Sequence, residues 1–184
     1  MPDKTTPVFK SRLLPFDTGN ILPIEINCSG KLEEKSIDVC FIVTGELKNI
    51  SIDTHDKHPG RTDNLWQKTC FEVFVANTDS VRYWEYNLSP SLNWAVYGFE
   101  NYREGKFDEL LIPEIAIDTH FQPNQFLLKS SIPLPQPLFD ENLKIGLSSV
   151  VQDINGDIYY YALSHEKEQA DFHAAGSFSL ELGQ

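Results

Sequence analysis

Glu72, Glu85 and Asn87 lie close together in a run of aromatic residues, and that combination sets the chemistry to consider. Carboxylates accept hydrogen bonds, a carboxamide both accepts and donates, and aromatic rings offer flat apolar faces. Such a set suits a polyhydroxylated ligand, whose hydroxyls need partners and whose C–H faces stack on rings. The stretch is residues 65–105, LWQKTCFEVFVANTDSVRYWEYNLSPSLNWAVYGFENYREG, and it holds all three tryptophans, Trp66, Trp84 and Trp94. Trp66 and Trp94 each open or precede a strand at a loop, so they are the expected stacking surfaces. Trp84 shares a face with Tyr86 and Leu88 and is expected in the core. Arg103 follows the last strand of the stretch and precedes Gly105, where a loop can turn a guanidinium back over a sheet. Its planar fork of donors fits sugar hydroxyls or a carboxylate, and pairing with Glu72 or Glu85 is the competing use.

A second group of polar side chains comes late, in residues 164–178, SHEKEQADFHAAGSF. His165, Asp171 and His173 are candidates there, although Asp171 could equally cap a turn and His173 could be a satisfied structural histidine. Glu72 and Glu85 would serve glycoside hydrolysis only if both lined one cleft at a suitable separation. No nucleophile elbow, Gly-rich phosphate loop or zincin helix accompanies them, so a non-catalytic protein is expected. In the polar loop 53–64, DTHDKHPGRTDN, the spacing of His55 and His58 with Asp53 and Asp56 specifies no metal geometry. That loop is expected to be solvated and to frame a groove mouth. The string DINGD at 153–157 looks like the start of a calcium loop but lacks the remaining ligand positions and the closing Glu. Asn155-Gly156 between two apolar runs reads as a tight hairpin turn. No cofactor is expected, with calcium at a loop the one ion left open.

These side chains have to be held by strands. Residues 69–76, 83–88 and 94–99 are rich in aromatic and β-branched types and are separated by polar turns, which predicts an antiparallel meander. A period of two puts Phe71, Val73 and Val75 on one face of the first run, with Cys70, Glu72 and Phe74 on the other. In the second run Tyr83, Glu85, Asn87 and Ser89 share a face. That face is either a lined groove or a plain solvent face with its charges in water. Further strands are expected at 21–29, 37–47, 115–121, 126–132, 143–152, 158–163 and 178–182. Pro133, Pro135 and Pro137 stop one of them, because proline donates nothing to a ladder. A crossover or one short helix follows, through Asn142. The reading is all-β, with a polar lead-in at 1–20 and a single domain at 21–184.

The order LW..TCFEVF, then YWEYNLSPS.NWAVY.F..YR.G, then H….DFH..GSF.LEL resembles the DOMON-like family related to family 9 carbohydrate-binding modules. The resemblance runs from about Ile21 to the end and is densest over residues 65–105. It implies a two-sheet, immunoglobulin-like antiparallel β-sandwich, with a groove that takes sugars in some members and haem in others. It also implies that the loop with His165, Asp171 and His173 approaches the groove edge. Haem-carrying members use a Met and a His as axial ligands, and here the only methionine is Met1, so haem is disfavoured. The resemblance thus points to a sugar-binding module. A scaffold for a protein partner is the alternative.

A chain of 184 residues with 41% hydrophobic content is long enough for one sizeable core. Its net charge of −12 argues against nucleic acid and anionic membranes, since phosphate binding needs clustered Lys and Arg. Cys28, Cys40 and Cys70 are odd in number, lie within strand patterns and match no zinc spacing, so they read as reduced, buried thiols. The first residues hold no apolar run long enough for a signal peptide, and a cytoplasmic location is expected. Exposed strand edges would allow a homodimer.

Overall fold

The computed structural model describes residues 8–54, 56–139 and 141–183, and among them it forms a single antiparallel system of twelve strands. In chain order they are β1 (Val8–Pro15), β2 (Ile24–Leu32), β3 (Ser36–Gly45), β4 (Cys70–Asn77), β5 (Tyr83–Leu88), β6 (Trp94–Phe99) and β7 (Phe107–Asp108). Then come β8 (Ile117–Gln122), β9 (Gln125–Pro133), β10 (Leu143–Gln152), β11 (Ile158–Ala162) and β12 (Leu180–Leu182). Short 3-10 turns, at Leu65–Gln67 and Gln136–Leu138 among other places, stand in for helices. The strand order is β7-β6-β5-β4-β10-β11-β1-β2-β3-β9-β8, with β12 also on β10.

β1 is the joint of this sheet. Its first six residues pair with β2, from Val8↔Lys31 to Leu13↔Ile26, while Leu14 and Pro15 pair with Ala162 and Tyr161 of β11. The sheet curls about this joint until its two halves face each other. Phe71 of β4 meets Phe41 of β3 with ring centroids 5.1 Å apart and Phe126 of β9 at 5.9 Å. Tyr86 of β5 lies in the same core and donates its hydroxyl to the Pro133 carbonyl at the end of β9, 2.6 Å away. The inward set Phe71, Val73, Val75, Trp84, Tyr86 and Leu88 is the one the period of two selects, and all six side chains are buried.

The opposite face of β4, β5 and β6 is not wet. Every residue of β5 and β6 is buried on both sides. Phe74, Tyr83, Tyr97 and Phe99 form a second apolar cluster there, closed by Phe172 and Phe178 from the C-terminal segment. The solvent-face alternative for Glu72, Glu85 and Asn87 is therefore overturned by tertiary cover that no local pattern reveals.

Other departures are local. The strand expected first, at 21–29, is the second, Ile24–Leu32; Val8–Pro15 precedes it, with Phe9 and Leu13 pointing inward and Lys10 and Arg12 not. The proline run ends β9 at Pro133 and yields one 3-10 turn at Gln136–Leu138 in place of a helix. The cysteines Cys28, Cys40 and Cys70 are free thiols. Asp153 accepts the backbone N–H groups of Asn155 and Asp157, each at 2.8 Å, so its carboxylate closes the β10–β11 hairpin, with Gly156 at φ +93°.

Phe71 touches both halves of the sheet, so truncation leaves a cavity that neither half can fill alone. Phe71→Ala is expected to lower unfolding free energy by about 3–5 kcal/mol in urea titrations. A loss under about 1 kcal/mol would show that the halves do not share one core.

Candidate functional site

The polar groups of the outer face sit in two rows that run across the strands. Register aligns Ser148 of β10, Glu72 of β4, Asn87 of β5 and Ala95 of β6, and then Gly146, Phe74, Glu85 and Tyr97 beside them. Directly opposed residues on one face stand about 4.5–5.5 Å apart, so Glu72, Asn87 and Glu85 are mutual neighbours. Ser148 Oγ donates to Glu72 Oε2 at 3.0 Å and Asn87 Nδ2 donates to Glu85 Oε1 at 2.6 Å. Cys70 lies at the end of the row with its thiol 3.6 Å from Asn87 Oδ1.

The two carboxyls are deeply set, with Glu72 3% and Glu85 6% exposed. Burial raises both above the ordinary carboxylate range, since desolvation penalises the ion. For Glu72 the neighbouring Glu85 adds to the rise, while Ser148 and Arg103 oppose it. Two like charges this close do not both ionise readily, so the pair retains a proton toward neutral pH. A protonated carboxyl donates as well as accepts, which widens what the floor can recognise.

The rim comes from two loops. His173 lies edge-on to Phe74, Tyr83 and Phe99, with centroids at 5.2, 5.8 and 5.1 Å. Its Nδ1 is 2.8 Å from the Tyr83 hydroxyl, which itself accepts the Arg103 backbone N–H at 3.1 Å. Burial, with Arg103 adding to it, pushes the His173 imidazole down to about 4. Its other ring nitrogen, Nε2, lies 3.6 Å from Glu85 Oε2. Arg103 adopts the left-handed conformation, φ +55°, and its Nη2 donates to Asp171 Oδ1 at 2.9 Å. Burial disfavours the Asp171 anion, yet hydrogen bonds from Lys167, Tyr102 and Arg103 outweigh it and hold the carboxyl well below its usual range. Arg103 forms neither of the expected ion pairs with Glu72 or Glu85; its carboxylate partner is Asp171.

Glu72, Glu85, Asn87, Arg103, Asp171 and His173 thus gather on one face, and two of the expected residues do not. His165 is bonded through Nε2 to the Leu14 carbonyl at 2.8 Å and lies edge-on to Phe16, on the strand joint instead of the rim. Trp94 is only 4% exposed and belongs to the inner core, so it offers no stacking surface. Arg61 covers its ring at 4.5 Å and donates to the carbonyls of Val96, Glu109 and Ile112. Trp84 is core as expected, its indole N–H donating to Glu109 Oε2 at 3.0 Å. Trp66 is the exposed tryptophan, at 50%, on the 3-10 turn Leu65–Gln67 that packs on β4 and β5.

Ser148, Tyr83, Tyr97 and Lys106 escaped the sequence reading. Tyr97 donates to Asp63 Oδ1 at 2.7 Å and carries Lys106 Nζ 3.6 Å from its ring centroid. Tyr83 shares the Glu85 face by alternation alone, so it was within reach; Ser148 and Tyr97 join only through strand pairing. In the loop 53–64, Asp56 accepts Asn93 Nδ2 at 2.8 Å and the His58 N–H at 3.0 Å. His55 lies outside the described residues. Among the described residues no three His, Cys, Asp or Glu side chains are grouped to hold a metal ion.

No protein-family model matches the sequence, and no curated protein does either. Solved structures do. A proposed carbohydrate-binding protein of Bacteroides uniformis is 12% identical and superposes over 96% of this chain and 84% of its own, with a TM-score of 0.68. A family 9 carbohydrate-binding module from Caldicellulosiruptor kristjanssonii, solved with cellotriose, is 11% identical over 91% of this chain and 76% of its own, with a TM-score of 0.53. At such identities the likeness is one of fold. This chain has the fold of carbohydrate-binding modules.

The buried pair makes a signed prediction. A carboxyl raised in the folded state binds more protons there than when unfolded, so stability is lost as pH climbs from the ordinary carboxylate range through the raised value. The depressed His173 contributes its own slope in the native chain and in Glu72→Gln alike, so it drops out of their comparison. Between pH 6.5 and 9 the melting temperature of the native chain should therefore fall more than that of Glu72→Gln, by roughly 2–4 °C. Parallel curves would mean that the pair carries no extra proton.

Proposed function

We propose that the protein is a non-catalytic sugar-binding module with a two-sheet, immunoglobulin-like architecture, and that its ligand is held on the outer face of β4, β5, β6 and β10. The observation that carries this reading is the polar row Ser148–Glu72–Asn87, with Glu85 beside it, next to a half-exposed Trp66 on a fold shared with carbohydrate-binding modules. Trp66 stacks on a pyranose ring, where its flat face replaces water over C–H groups. Half-exposed Arg103 answers the hydroxyls, and the buried Glu72, Glu85 and Asn87 beneath set the charge and hydrogen-bonding character of the floor. Asp171 and His173 act on the rim, the first by holding Arg103 and the second by closing the apolar side.

Affinity in such a site is modest, because each hydroxyl contact replaces a water contact of similar worth. Cellotriose, the ligand of one structural neighbour, is the first probe. Isothermal titration should give a measurable Kd, and Trp66→Ala should weaken it roughly tenfold, about 1.4 kcal/mol, with the melting temperature unchanged. Glucose, xylose, maltose and chitin oligosaccharides extend the panel. If no sugar in it binds the intact chain, the reading is wrong.

A further inference from the structure

Glu72 and Glu85 leave almost no surface free, so the open volume that a sugar chain needs lies elsewhere along the same face. Ser89 shares the Asn87 face two residues further along the chain, about 7 Å away, and there the floor opens into a cleft of about 540 Å³. That volume is within the usual range of small-molecule sites, about 300–1,000 Å³. Two residues tie the cleft to the site. Leu65 packs on the outer apolar cluster and also lines the cleft, and Asp63 lines the cleft while accepting the Tyr97 hydroxyl.

The cleft is polar and its far wall is pinned. Gly60 N–H donates to Asn93 Oδ1 at 2.9 Å, Trp94 N–H to the Gly60 carbonyl at 3.1 Å, and Thr62 N–H to the Trp94 carbonyl at 2.9 Å. Arg61, locked over Trp94 and onto three carbonyls, fixes the same loop from behind. A wall already ordered loses little entropy when a ligand arrives. Its lining mixes the hydroxyls of Thr62 and Ser89, the amides of Gln67 and Asn93, the Asp63 carboxylate, and one cation, Lys68, which pairs with Asp53 at 3.9 Å. Asp53 and Asp56 line it too, so the balance is acidic and disfavours uronates or phosphates.

We infer that this cleft is an extension subsite, which takes the second and third units of a neutral oligosaccharide whose first unit stacks on Trp66. The inference rests on the sugar-binding reading and adds a preference for chain length.

The test is isothermal titration of the full chain with cello-, malto-, xylo- and chito-oligosaccharides of one to four units. In the series that binds, Kd should fall at least tenfold from monosaccharide to trisaccharide, and a trisaccharide that binds where its monosaccharide does not counts as that gain. Gln67 and Lys68 are exposed, so the double variant Gln67→Ala/Lys68→Ala should keep the native melting temperature. It should erase the gain with length and leave monosaccharide binding as it was. Equal affinity at every length, or a gain that survives in the double variant, overturns the extension while the sugar-binding reading stands. Silence across every series overturns both.

Discussion

β4, β5 and β6 carry apolar side chains on both faces, and most of the architecture answers the need to keep water from both. The inner face is covered by the other half of the curled sheet, through Phe41 and Phe126 against Phe71. The outer face is covered by the chain's own C-terminal segment, through Phe172 and Phe178. Once that second cover is in place, any polar group beneath it needs a partner inside the protein. Ser148 on Glu72, Asn87 on Glu85 and Tyr83 on His173 are those partners. The polar rows are thus a product of double burial as much as of ligand chemistry.

The cover itself is secured by charge at its margin. Asp171 draws in Arg103 from the turn after β6 and Lys167 from its own segment, with Tyr102 between them. An acidic protein has spare carboxylates, yet here one is placed where four donors converge, the His173 backbone N–H among them. The result is a latch at the edge of an apolar cluster, on half-exposed cations whose single pairs are modest, so its hold comes from their convergence on one carboxylate.

Alternation was enough to read which residues of residues 65–105 share a face, because a period of two is a local property. It could not show what lies above that face. His173 reaches Tyr83 across 90 residues of sequence, and Phe178 approaches the same ring. Trp94 was misjudged for a related reason. A tryptophan at a loop–strand junction looks available for stacking, but the loop carrying Arg61 folds back and takes that ring for itself. The family resemblance implies that the loop with His165, Asp171 and His173 approaches the groove edge, whereas the His165 ring lies against Phe16 at the strand joint. The N-terminal strand was masked by its polar neighbours, since Phe9 and Leu13 supply only two deeply buried positions in eight residues.

The split pairing of β1 bears on how the molecule is assembled during synthesis. Its N-terminal part can settle on β2 as soon as that strand has emerged, because the two are nearly adjacent in sequence. Its last residues must wait for β11, which comes after β2 to β10 in the sequence order. Until then the edge of β1 at Leu14 and Pro15, which later pairs with β11, stays open, and open edges invite foreign strands. Closure comes late and depends on distant contacts, which places this fold among the slow ones. The nascent chain therefore carries an unsealed seam until β11 is made, and early capture of β1 by β2 keeps that seam short.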